Sequence, residues 1–281
     1  MAQVKIVVDS TSDIPRNLAE GLDITVVPLT VHFGDREYVD WLELAPLEFY
    51  DLLETSPHHP YTSPPTPEAF AEVYERLLAD GSPVLSLHIS GGLSETVRQA
   101  EAGKALVGRG EIEIIDSRVV SMACGLPAIV AARAAAGGAG LPELVSLVRG
   151  FLGRTSLFFA VDTLDYLVRN GRIGRAQAIL GTLLAIKPVL TIVDGLVAPY
   201  EKVRGEKKII PRMVEIMGQM LGSGKAGETA IVHAACLDKA IALREAVCAA
   251  FGVKDLILCD LGAVVGTHSG PGTVGMVFEK V

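Results

Sequence analysis

The chain has 281 residues, which is long enough for two domains or for one large α/β domain with a substantial core. Hydrophobic residues make up 49% and charged residues 21%, but no apolar stretch reaches the roughly 18 to 20 residues that a membrane span requires. A formal net charge of −8 with only 5% aromatic residues disfavours nucleic acid as a partner. Composition therefore predicts a folded protein without a transmembrane segment.

The first residues and the cysteines indicate the compartment. Residues 1–9 are typical of an opening strand and lack the pattern of a signal peptide. The four cysteines are far apart in sequence and show no CxxC spacing, so neither a zinc site nor a disulfide framework is indicated. The pair His58-His59 has no companions at metal-ligand spacing and favours a surface loop. We predict a cytoplasmic protein with reduced thiols and no bound metal or other cofactor.

Short β-prone runs alternate with helical patterns along the chain. In chain order the patterns predict strands at 5–8 and 24–31, a helix at 67–79, a strand at 84–89, a helix at 93–107, a strand at 112–115, helices at 123–136 and 141–152, a strand at 157–161, helices at 176–184 and 209–221, and strands at 231–233 and 256–259. This alternation is typical of an α/β fold, in which ligands bind where loops leave the carboxyl ends of parallel strands.

The second half of the chain differs from the first in one respect. Two β-prone runs between residues 188 and 203 flank Asp194-Gly195, which is a strong hairpin signal. An Ala/Gly-rich stretch at 132–140 and the helix after it lead towards a boundary near residue 152. We therefore expect an N-terminal α/β domain at 1–152, with a mostly parallel sheet, and a C-terminal α/β domain at 153–281, with a mixed sheet and a hairpin.

A glycine-rich segment near the C-terminus carries a histidine among hydroxyls. Residues 265–273 include Thr267, His268 and Ser269, bracketed by glycines, just after an apolar run. Free N–H groups, hydroxyls and an imidazole together can bind an oxyanion. A tight connection between two strands would have the same residues. The sequence of this segment alone therefore leaves both interpretations open, an oxyanion site and a plain connection.

Two earlier loops present hydroxyls in rigid settings. Thr62 and Ser63 precede three prolines, which suits ligand binding but equally suits a plain helix entry. The segment 90–96, a glycine turn between a strand and a helix, offers N–H groups and Ser94 to an anion. It is neither a Walker loop nor a dinucleotide fingerprint, so we expect no nucleotide site. The loop at 9–15 places hydroxyls between two acids, which favours a structural role.

A cluster of arginines follows the predicted domain boundary. Arg169, Arg172 and Arg175 lie on a tight turn, and Arg204 follows in the same half of the chain. These residues form either an ordinary basic face or a docking surface for an acidic partner or a phosphate, because arginine binds such groups with paired hydrogen bonds.

The motifs taken in order resemble those of the DegV family over essentially the whole chain. They are residues 9–15 (DSTSDIP), 62–67 (TSPPTP), 90–96 (SGGLSET), 116–117 (DS), 161–167 (VDTLDYL), 170–174 (NGRIG), 187–188 (KP), 201–204 (EKVR) and 266–272 (GTHSGPG). The resemblance implies two α/β domains that bind one long-chain fatty acid, such as palmitate, with a buried acyl chain between or within the domains.

The resemblance also implies a partner and roles for individual residues. Family members act as the fatty-acid-binding subunit of a fatty acid kinase, presenting the carboxylate to a separate ATP-dependent subunit that makes acyl phosphate. By this similarity Thr62, Ser94 and His268 hold the carboxylate, with Ser63 and Thr267 beside them. Arg172 and Arg204 correspond to residues at the head group or the kinase-docking face. Catalysis by this chain alone is not expected, and transient contact with a membrane surface stays open.

The segment around Ser94 departs from the family pattern at Gly91 and Glu95. A carboxylate at Glu95 disfavours an anion nearby unless it points outward or towards a basic neighbour. The alternative function is a serine hydrolase for acyl esters, with Ser94 as nucleophile and His268 as base, although no GxSxG elbow surrounds Ser94.

Overall fold

The computed structural model of the chain describes residues 2–180 and 186–281, with backbone only for Ile186. In the described residues the strands are β1 (Lys5–Asp9), β2 (Ile24–Val27), β3 (Thr30–Phe33), β4 (Arg36–Val39), β5 (Tyr61–Ser63), β6 (Val84–His88), β7 (Ile112–Asp116), β8 (Thr155–Ala160), β9 (Ile186–Val193), β10 (Leu196–Arg204), β11 (Ala226–His233), β12 (Ile257–Asp260) and β13 (Val274–Lys280). The helices are α1 (Arg16–Gly21), α2 (Pro46–Thr55), α3 (Pro67–Leu77), α4 (Thr96–Val107), α5 (Met122–Ala136), α6 (Leu141–Leu152), α7 (Asp165–Arg169), α8 (Ile209–Leu221), α9 (Leu237–Phe251) and α10 (Ala263–Ser269).

Three sheets organise these elements. A parallel sheet has the order β2-β1-β6-β7. A mixed sheet has the order β10-β9-β8-β13-β11-β12, in which only β11 and β12 pair in parallel. A small antiparallel sheet of order β4-β3-β5 shares no ladder with either. The predicted fold class, a parallel sheet followed by a mixed sheet with a hairpin, is confirmed.

The hairpin forms where the sequence predicts it. Asp194 and Gly195 form the turn between β9 and β10, both with positive φ, at 52° and 79°. This conformation matches the twist of the flanking strands and is why Asp-Gly is a favoured pair at such turns. The Ser90 hydroxyl donates to the Gly195 carbonyl at 2.8 Å, so the hairpin tip rests on the loop after β6.

One helix joins the two large sheets. α5 packs against β1, β2 and β6 of the parallel sheet and against β8, β11 and β13 of the mixed sheet. It is apolar around nearly its whole circumference, as a helix buried on all sides must be. Residues from both halves of the chain share one hydrophobic core around it, among them Val8, Phe49, Ile129 and Val232. The strands change sheet between β7 and β8, and on that basis we keep the boundary near residue 152 as a proposal.

Several predicted elements differ from those observed. The strand predicted at 24–31 is two strands in different sheets, since Pro28 cannot donate to a ladder and the Leu29 N–H bonds to the Ser10 hydroxyl at 3.1 Å. The helix predicted at 176–184 is a 3₁₀ turn over Gly174–Ile179, and residues 181–184 lie outside the described part. The sequence predictions contain no element at α1, α2, α7, α9, β4 or β13, and β5 lies in what was predicted as a loop.

The largest correction concerns the glycine-rich segment around His268. Its first part is the helix α10, and only residues 270–273 form a connection. A Cβ on Gly266 would lie 2.5 Å from the Tyr50 hydroxyl oxygen, so this glycine lets α10 approach α2. Glycine serves internal packing at this position, not the approach of a ligand.

In the part of the chain that the structure describes, no helix combines the length and the apolar character needed to cross a bilayer.

Candidate functional site

A cavity opens between the carboxyl ends of the parallel strands and the mixed sheet. Its volume is about 940 Å³ when the open mouth is counted. Most of its wall is aliphatic or aromatic, with contributions from Leu93, Val120, Leu157, Phe159, Ile192 and Val232. Thr62, Ser94, Arg172 and His268 add polar groups to the same wall. Apolar walls with a few convergent polar groups are typical of sites for amphiphilic small molecules.

The strand β5 brings Thr62 to the cavity. Thr62 Oγ1 lies 2.9 Å from His268 Nε2, a contact that joins residues 206 positions apart. Successive side chains of a strand face opposite sides, so Ser63 points away from Thr62. The Ser63 hydroxyl lies 2.7 Å from His32 Nε2, and Ser63 does not line the cavity. Of the predicted pair, only Thr62 is placed to contact a ligand.

His268 lies in the last turn of α10, half-buried in the cavity wall. Burial, with the charges of Arg172 and His59, lowers the pKa of His268 to about 3. The imidazole is therefore neutral near pH 7, with one N–H and one acceptor nitrogen. Its Nε2 contacts Thr62, while its buried Nδ1 has no hydrogen-bond partner in the described structure. Whichever tautomer forms, the pair keeps one donor, either the Thr62 O–H or the His268 Nδ1–H, that this contact does not use.

Thr267 is turned into the helix instead of the cavity. It is fully buried, and its hydroxyl donates to the Ala263 carbonyl one turn earlier at 2.8 Å. Because that hydroxyl is already used and does not line the cavity, we remove Thr267 from the ligand contacts that the sequence predicts. The neighbouring Ser269 does line the cavity, and its buried hydroxyl has no partner among the described residues.

The turn after β6 presents Ser94 but not its backbone N–H groups. Gly91 N donates to Asp116 Oδ1 at 3.2 Å and Gly92 N to the Ser90 hydroxyl at 3.1 Å. Leu93 N and Ser94 N both donate to the Ser90 carbonyl. The expectation that these N–H groups bind an anion is therefore wrong, since the protein itself satisfies them. What this turn offers the cavity is the Ser94 side chain, whose hydroxyl contacts that of Thr96 at 2.8 Å.

Glu95 lines the same cavity beside Ser94, but its carboxylate is paired with a neighbouring arginine. Its carboxylate pairs with Arg98 Nη1 at 2.8 Å, and its side chain is 56% exposed. The helix α4 begins at Thr96, so Glu95 and Arg98 lie on adjacent positions of its first turn. Anion binding near Ser94 requires that Glu95 point outward or towards a basic neighbour. The ion pair with Arg98 meets this requirement.

The two predicted arginines lie in different places. Arg172 lines the cavity, half-buried, and donates from Nε to the Leu93 carbonyl at 3.2 Å and from Nη1 to the Asn170 carbonyl at 2.7 Å. Arg204 is exposed at the end of β10, an edge strand of the mixed sheet, and does not line the cavity. Of the two, only Arg172 lines the cavity.

Asn170, to which the sequence assigns no role, connects two parts of the site. Its Nδ2 donates to the Thr267 carbonyl and lies 3.0 Å from both that oxygen and His59 Nε2. It thereby ties the loop after α7 to the helix that carries His268. The Asn-Gly pair predicts a turn here, but no sequence signal connects this turn to residues 97 positions later.

Two buried carboxylates hold the start of α10. Asp13 Oδ1 accepts the Gly262 N–H at 2.8 Å, and Asp40 Oδ1 accepts the Ala263 N–H at 3.2 Å. Burial raises the pKa of Asp13 well above its ordinary value and that of Asp40 to about 7, although hydrogen bonds from the backbone act in the opposite direction. Asp13, in the loop at 9–15, therefore has the structural role of anchoring this helix.

Comparison with known proteins identifies the family. The family model described as "Uncharacterised protein, DegV family" matches residues 3–281. The chain belongs to the DegV family. A DegV domain-containing protein of Streptomyces coelicolor is 39% identical over 280 residues, covering 99% of this chain and 98% of its own. Protein DegV of Bacillus subtilis is 32% identical over 276 residues, covering 98% of each chain.

Solved DegV structures share the fold over the full length. A DegV family protein from Thermus thermophilus, described in terms of fatty acid binding, superposes with a TM-score of 0.93 at 36% identity and full coverage of both chains. DegV from Bacillus subtilis, described as a fatty acid binding protein, superposes with a TM-score of 0.92 at 30% identity, again with full coverage. The resemblance that the motifs indicate is therefore confirmed at the level of family and fold.

Proposed function

We propose that this DegV protein binds one long-chain fatty acid, with its acyl chain in the cavity and its carboxylate at Thr62, Ser94 and His268. The observation that carries the proposal is an apolar cavity whose wall includes the Thr62–His268 pair, which has one hydrogen-bond donor that their mutual contact does not use. The similarity to fatty-acid-binding DegV proteins of Thermus thermophilus and Bacillus subtilis supports the same conclusion.

The acyl chain supplies most of the binding free energy in this proposal. Transfer of each methylene from water into an apolar wall contributes about 0.8 kcal/mol. A palmitate-sized tail therefore gains more than its polar end can, and the polar residues have mainly to orient the carboxylate. A ligand of this kind needs no cofactor for binding.

Charge complementarity at the head group comes from Arg172. His268 is neutral because of its lowered pKa, so it acts as a hydrogen-bond donor or acceptor and not as a counter-charge. Arg172 lines the same cavity and is close enough to His268 to lower that pKa further. Glu95 is paired with Arg98, which limits its repulsion of a carboxylate.

We further propose that the bound carboxylate is presented to a separate ATP-dependent kinase subunit in the cytoplasm, which converts it to acyl phosphate. In the turn at 90–96 the N–H groups of residues 91–94 already donate to acceptors within the protein, so they are not free to bind the phosphates of ATP. Arg204 is exposed and away from the cavity, which suits a docking role and not a head-group role.

The geometry favours binding over ester hydrolysis. Ser94 contacts Thr96, and His268 contacts Thr62, so no hydrogen bond joins the candidate nucleophile to the candidate base in the described structure. A histidine with a pKa near 3 is also a weak base for activating a serine.

Lipid extraction tests the binding proposal directly. Protein purified without added lipid is denatured, and the extract is analysed by mass spectrometry for fatty acids of 14 to 18 carbons. We expect about one fatty acid per chain, and delipidated protein should take up palmitate again. Protein that is empty and takes up no fatty acid would overturn the proposal, and Ser94-dependent turnover of an acyl ester would favour the hydrolase.

A further inference from the structure

His59 lies outside the cavity wall but contacts the loop that carries Arg172. Its Nε2 lies 3.0 Å from Asn170 Nδ2, and its ring packs against that of Tyr166, with 5.8 Å between the ring centroids. Neither His59 nor Asn170 lines the cavity. Any effect of His59 on a ligand is therefore transmitted through other residues.

The hydrogen-bond geometry determines which nitrogen of His59 carries the proton. Asn170 Nδ2 also lies 3.0 Å from the Thr267 carbonyl oxygen, which can only accept, so this atom is the amide nitrogen and has two hydrogens to donate. The Tyr166 carbonyl, at 3.4 Å, is a more distant acceptor. His59 Nε2 accepts the second hydrogen, which requires a neutral imidazole protonated on Nδ1. Burial and, to a smaller extent, the charge of Arg169 lower the pKa of His59, which favours this neutral form.

Asn170 connects this imidazole to two parts of the head-group site. Its side chain donates to the carbonyl of Thr267, the residue before His268 in α10. Its own carbonyl accepts from Arg172 Nη1 at 2.7 Å, and Arg172 lines the cavity. Besides burial, which acts most strongly, the charges of Arg172 and His59 lower the pKa of His268, so these three side chains lie near one another.

His59 also belongs to the segment that leads into β5. Thr62, three residues after His59, contacts His268 at 2.9 Å. The contact between His59 and Asn170 therefore holds together three segments that each supply one polar residue to the cavity. These segments are β5, the loop after α7 and the helix α10.

We propose that His59 is a positioning residue for the fatty acid carboxylate. As the acceptor for Asn170, it keeps β5, the loop after α7 and α10 in the arrangement that binds the head group. The proposal rests on the fatty-acid-binding function and adds to it a residue that touches no ligand. Because His59 and Asn170 lie outside the apolar wall, loss of the acceptor should weaken a ligand with a carboxylate more than one with an uncharged head group.

Two substitutions of His59 separate the acceptor from the ring. Phenylalanine keeps an aromatic ring against Tyr166 but has no acceptor, whereas glutamine places an amide oxygen near the position of Nε2. In delipidated His59→Phe we expect the Kd for palmitate to rise at least about fivefold and the Kd for methyl palmitate to rise less than about twofold. His59→Gln should bind both ligands within about twofold of the wild type. Displacement of a fluorescent fatty acid gives the Kd values.

NMR of the histidine side chains tests the tautomer independently of ligand binding. In protein with ¹⁵N-labelled histidine, the ring signals of His59 are assigned by their loss in His59→Gln. At neutral pH their chemical shifts should place the proton on Nδ1. A proton on Nε2 would overturn the proposal, because that nitrogen could not then accept from Asn170.

The matched control is His58→Phe, which changes the exposed neighbouring histidine and should leave both Kd values unchanged. Asn170→Ala removes the donor of the same contact and should show the same selective loss, so it serves if His59→Phe folds poorly. Equal losses for palmitate and methyl palmitate, or a loss in His59→Gln as large as in His59→Phe, would overturn the role of His59. Wild-type protein that binds neither ligand would instead contradict the fatty-acid-binding function.

Discussion

The contact between Thr62 and His268 sets the chemistry of the site at the scale of single residues. It joins β5 to α10 and engages one nitrogen of a neutral imidazole, which leaves one donor of the pair free. Sequence analysis predicts both residues as ligand contacts, and the structure brings them together at 2.9 Å. Their neighbours Ser63 and Thr267 are used internally, one by His32 and the other by the Ala263 carbonyl.

Thr62→Val tests the head-group role. Valine keeps the shape and the β-branching of threonine, but it removes the hydroxyl that a carboxylate needs. We expect the Kd for palmitate to rise about tenfold, since one hydrogen bond to a charged group contributes on the order of 1.5 kcal/mol. Fluorescent fatty acid displacement gives the Kd. Ser63→Ala is the matched control and should bind palmitate like the wild type; equal losses in the two variants would contradict the assignment.

Asp40 makes the stability of the protein depend on pH. Its carboxyl is buried, and its pKa is raised to about 7, above the value of about 3.9 in an unfolded chain. The folded state therefore binds a proton more tightly than the unfolded state. The stabilising contribution of this group is complete below about pH 4 and is lost as the pH rises through 7.

Asp40→Asn should remove this dependence. As the pH falls from 7 to 5, the free energy of unfolding of the wild type should rise relative to that of the variant, by up to about 1.4 kcal/mol per pH unit. Urea unfolding at a series of pH values measures the free energy of unfolding of both proteins. Other titrating groups affect both proteins alike, so their contribution cancels to first order in the difference. Parallel pH profiles for the two proteins would show that Asp40 is ionised in the folded state throughout.

At the scale of elements, two short pieces of structure decide where the site forms. The helix α10 holds His268 in place, anchored at its start by Asp13 and Asp40 and near its end by Asn170. The hairpin of β9 and β10 closes another side of the cavity, with Ile192 and Val197 in the wall. Its tip rests on the loop that carries Ser94, through the bond from Ser90 to Gly195.

Gly92→Ala should disturb this docking. A Cβ at position 92 would lie 2.7 Å from the Gly195 carbonyl oxygen, which belongs to the backbone and cannot swing away. We expect a loss of about 1–3 kcal/mol in the free energy of unfolding and weaker binding of palmitate, because the loop or the hairpin must shift. Gly21→Ala is the control, since a Cβ there meets no atom within 4 Å. Chemical denaturation and the palmitate Kd measure the effects, and identical stability of the two variants would contradict the contact.

At the scale of the whole molecule, the cavity belongs to both halves of the chain. Ile89 and Val120 come from the first half, and Leu157, Val197 and Val232 come from the second. The helix α5 packs against both large sheets, so a single core lies behind this wall. A ligand in the cavity therefore contacts both halves at once.

Palmitate should stabilise the entire protein. A ligand that binds only the folded state raises the free energy of unfolding by RT ln(1 + [L]/Kd), which is about 2.7 kcal/mol at 100 times the Kd. We expect the Tm of delipidated protein to rise steadily with palmitate concentration in a single transition. Differential scanning calorimetry measures it, with methyl palmitate, which lacks the carboxylate, as the comparison. Separate transitions, of which only one shifts, would show that the ligand contacts one half alone.

Arg204→Glu separates binding from presentation. Because Arg204 is exposed and does not line the cavity, the variant should keep the palmitate Kd of the wild type. If Arg204 contributes to kinase docking, acyl phosphate formation with a fatty acid kinase subunit and ATP should slow several-fold in the variant and depend more strongly on protein concentration. Unchanged rates would exclude Arg204 from the docking surface.

The sequence by itself determined the features that depend on local chemistry. Alternating periodicities predicted the α/β class, the Asp194-Gly195 pair predicted the hairpin turn, and ordered motifs predicted the family. These signals lie within a few residues of one another or in the order of segments along the chain, so no knowledge of distant contacts is needed to interpret them.

Only the tertiary structure decided which polar groups remain free for a ligand. The glycines and N–H groups of two loops look available in sequence, yet Gly266 serves the packing of α10 on α2 and the turn at 90–96 bonds to itself and to Asp116. The physical reason is that a hydrogen-bonding group is free or satisfied according to partners that are distant in sequence.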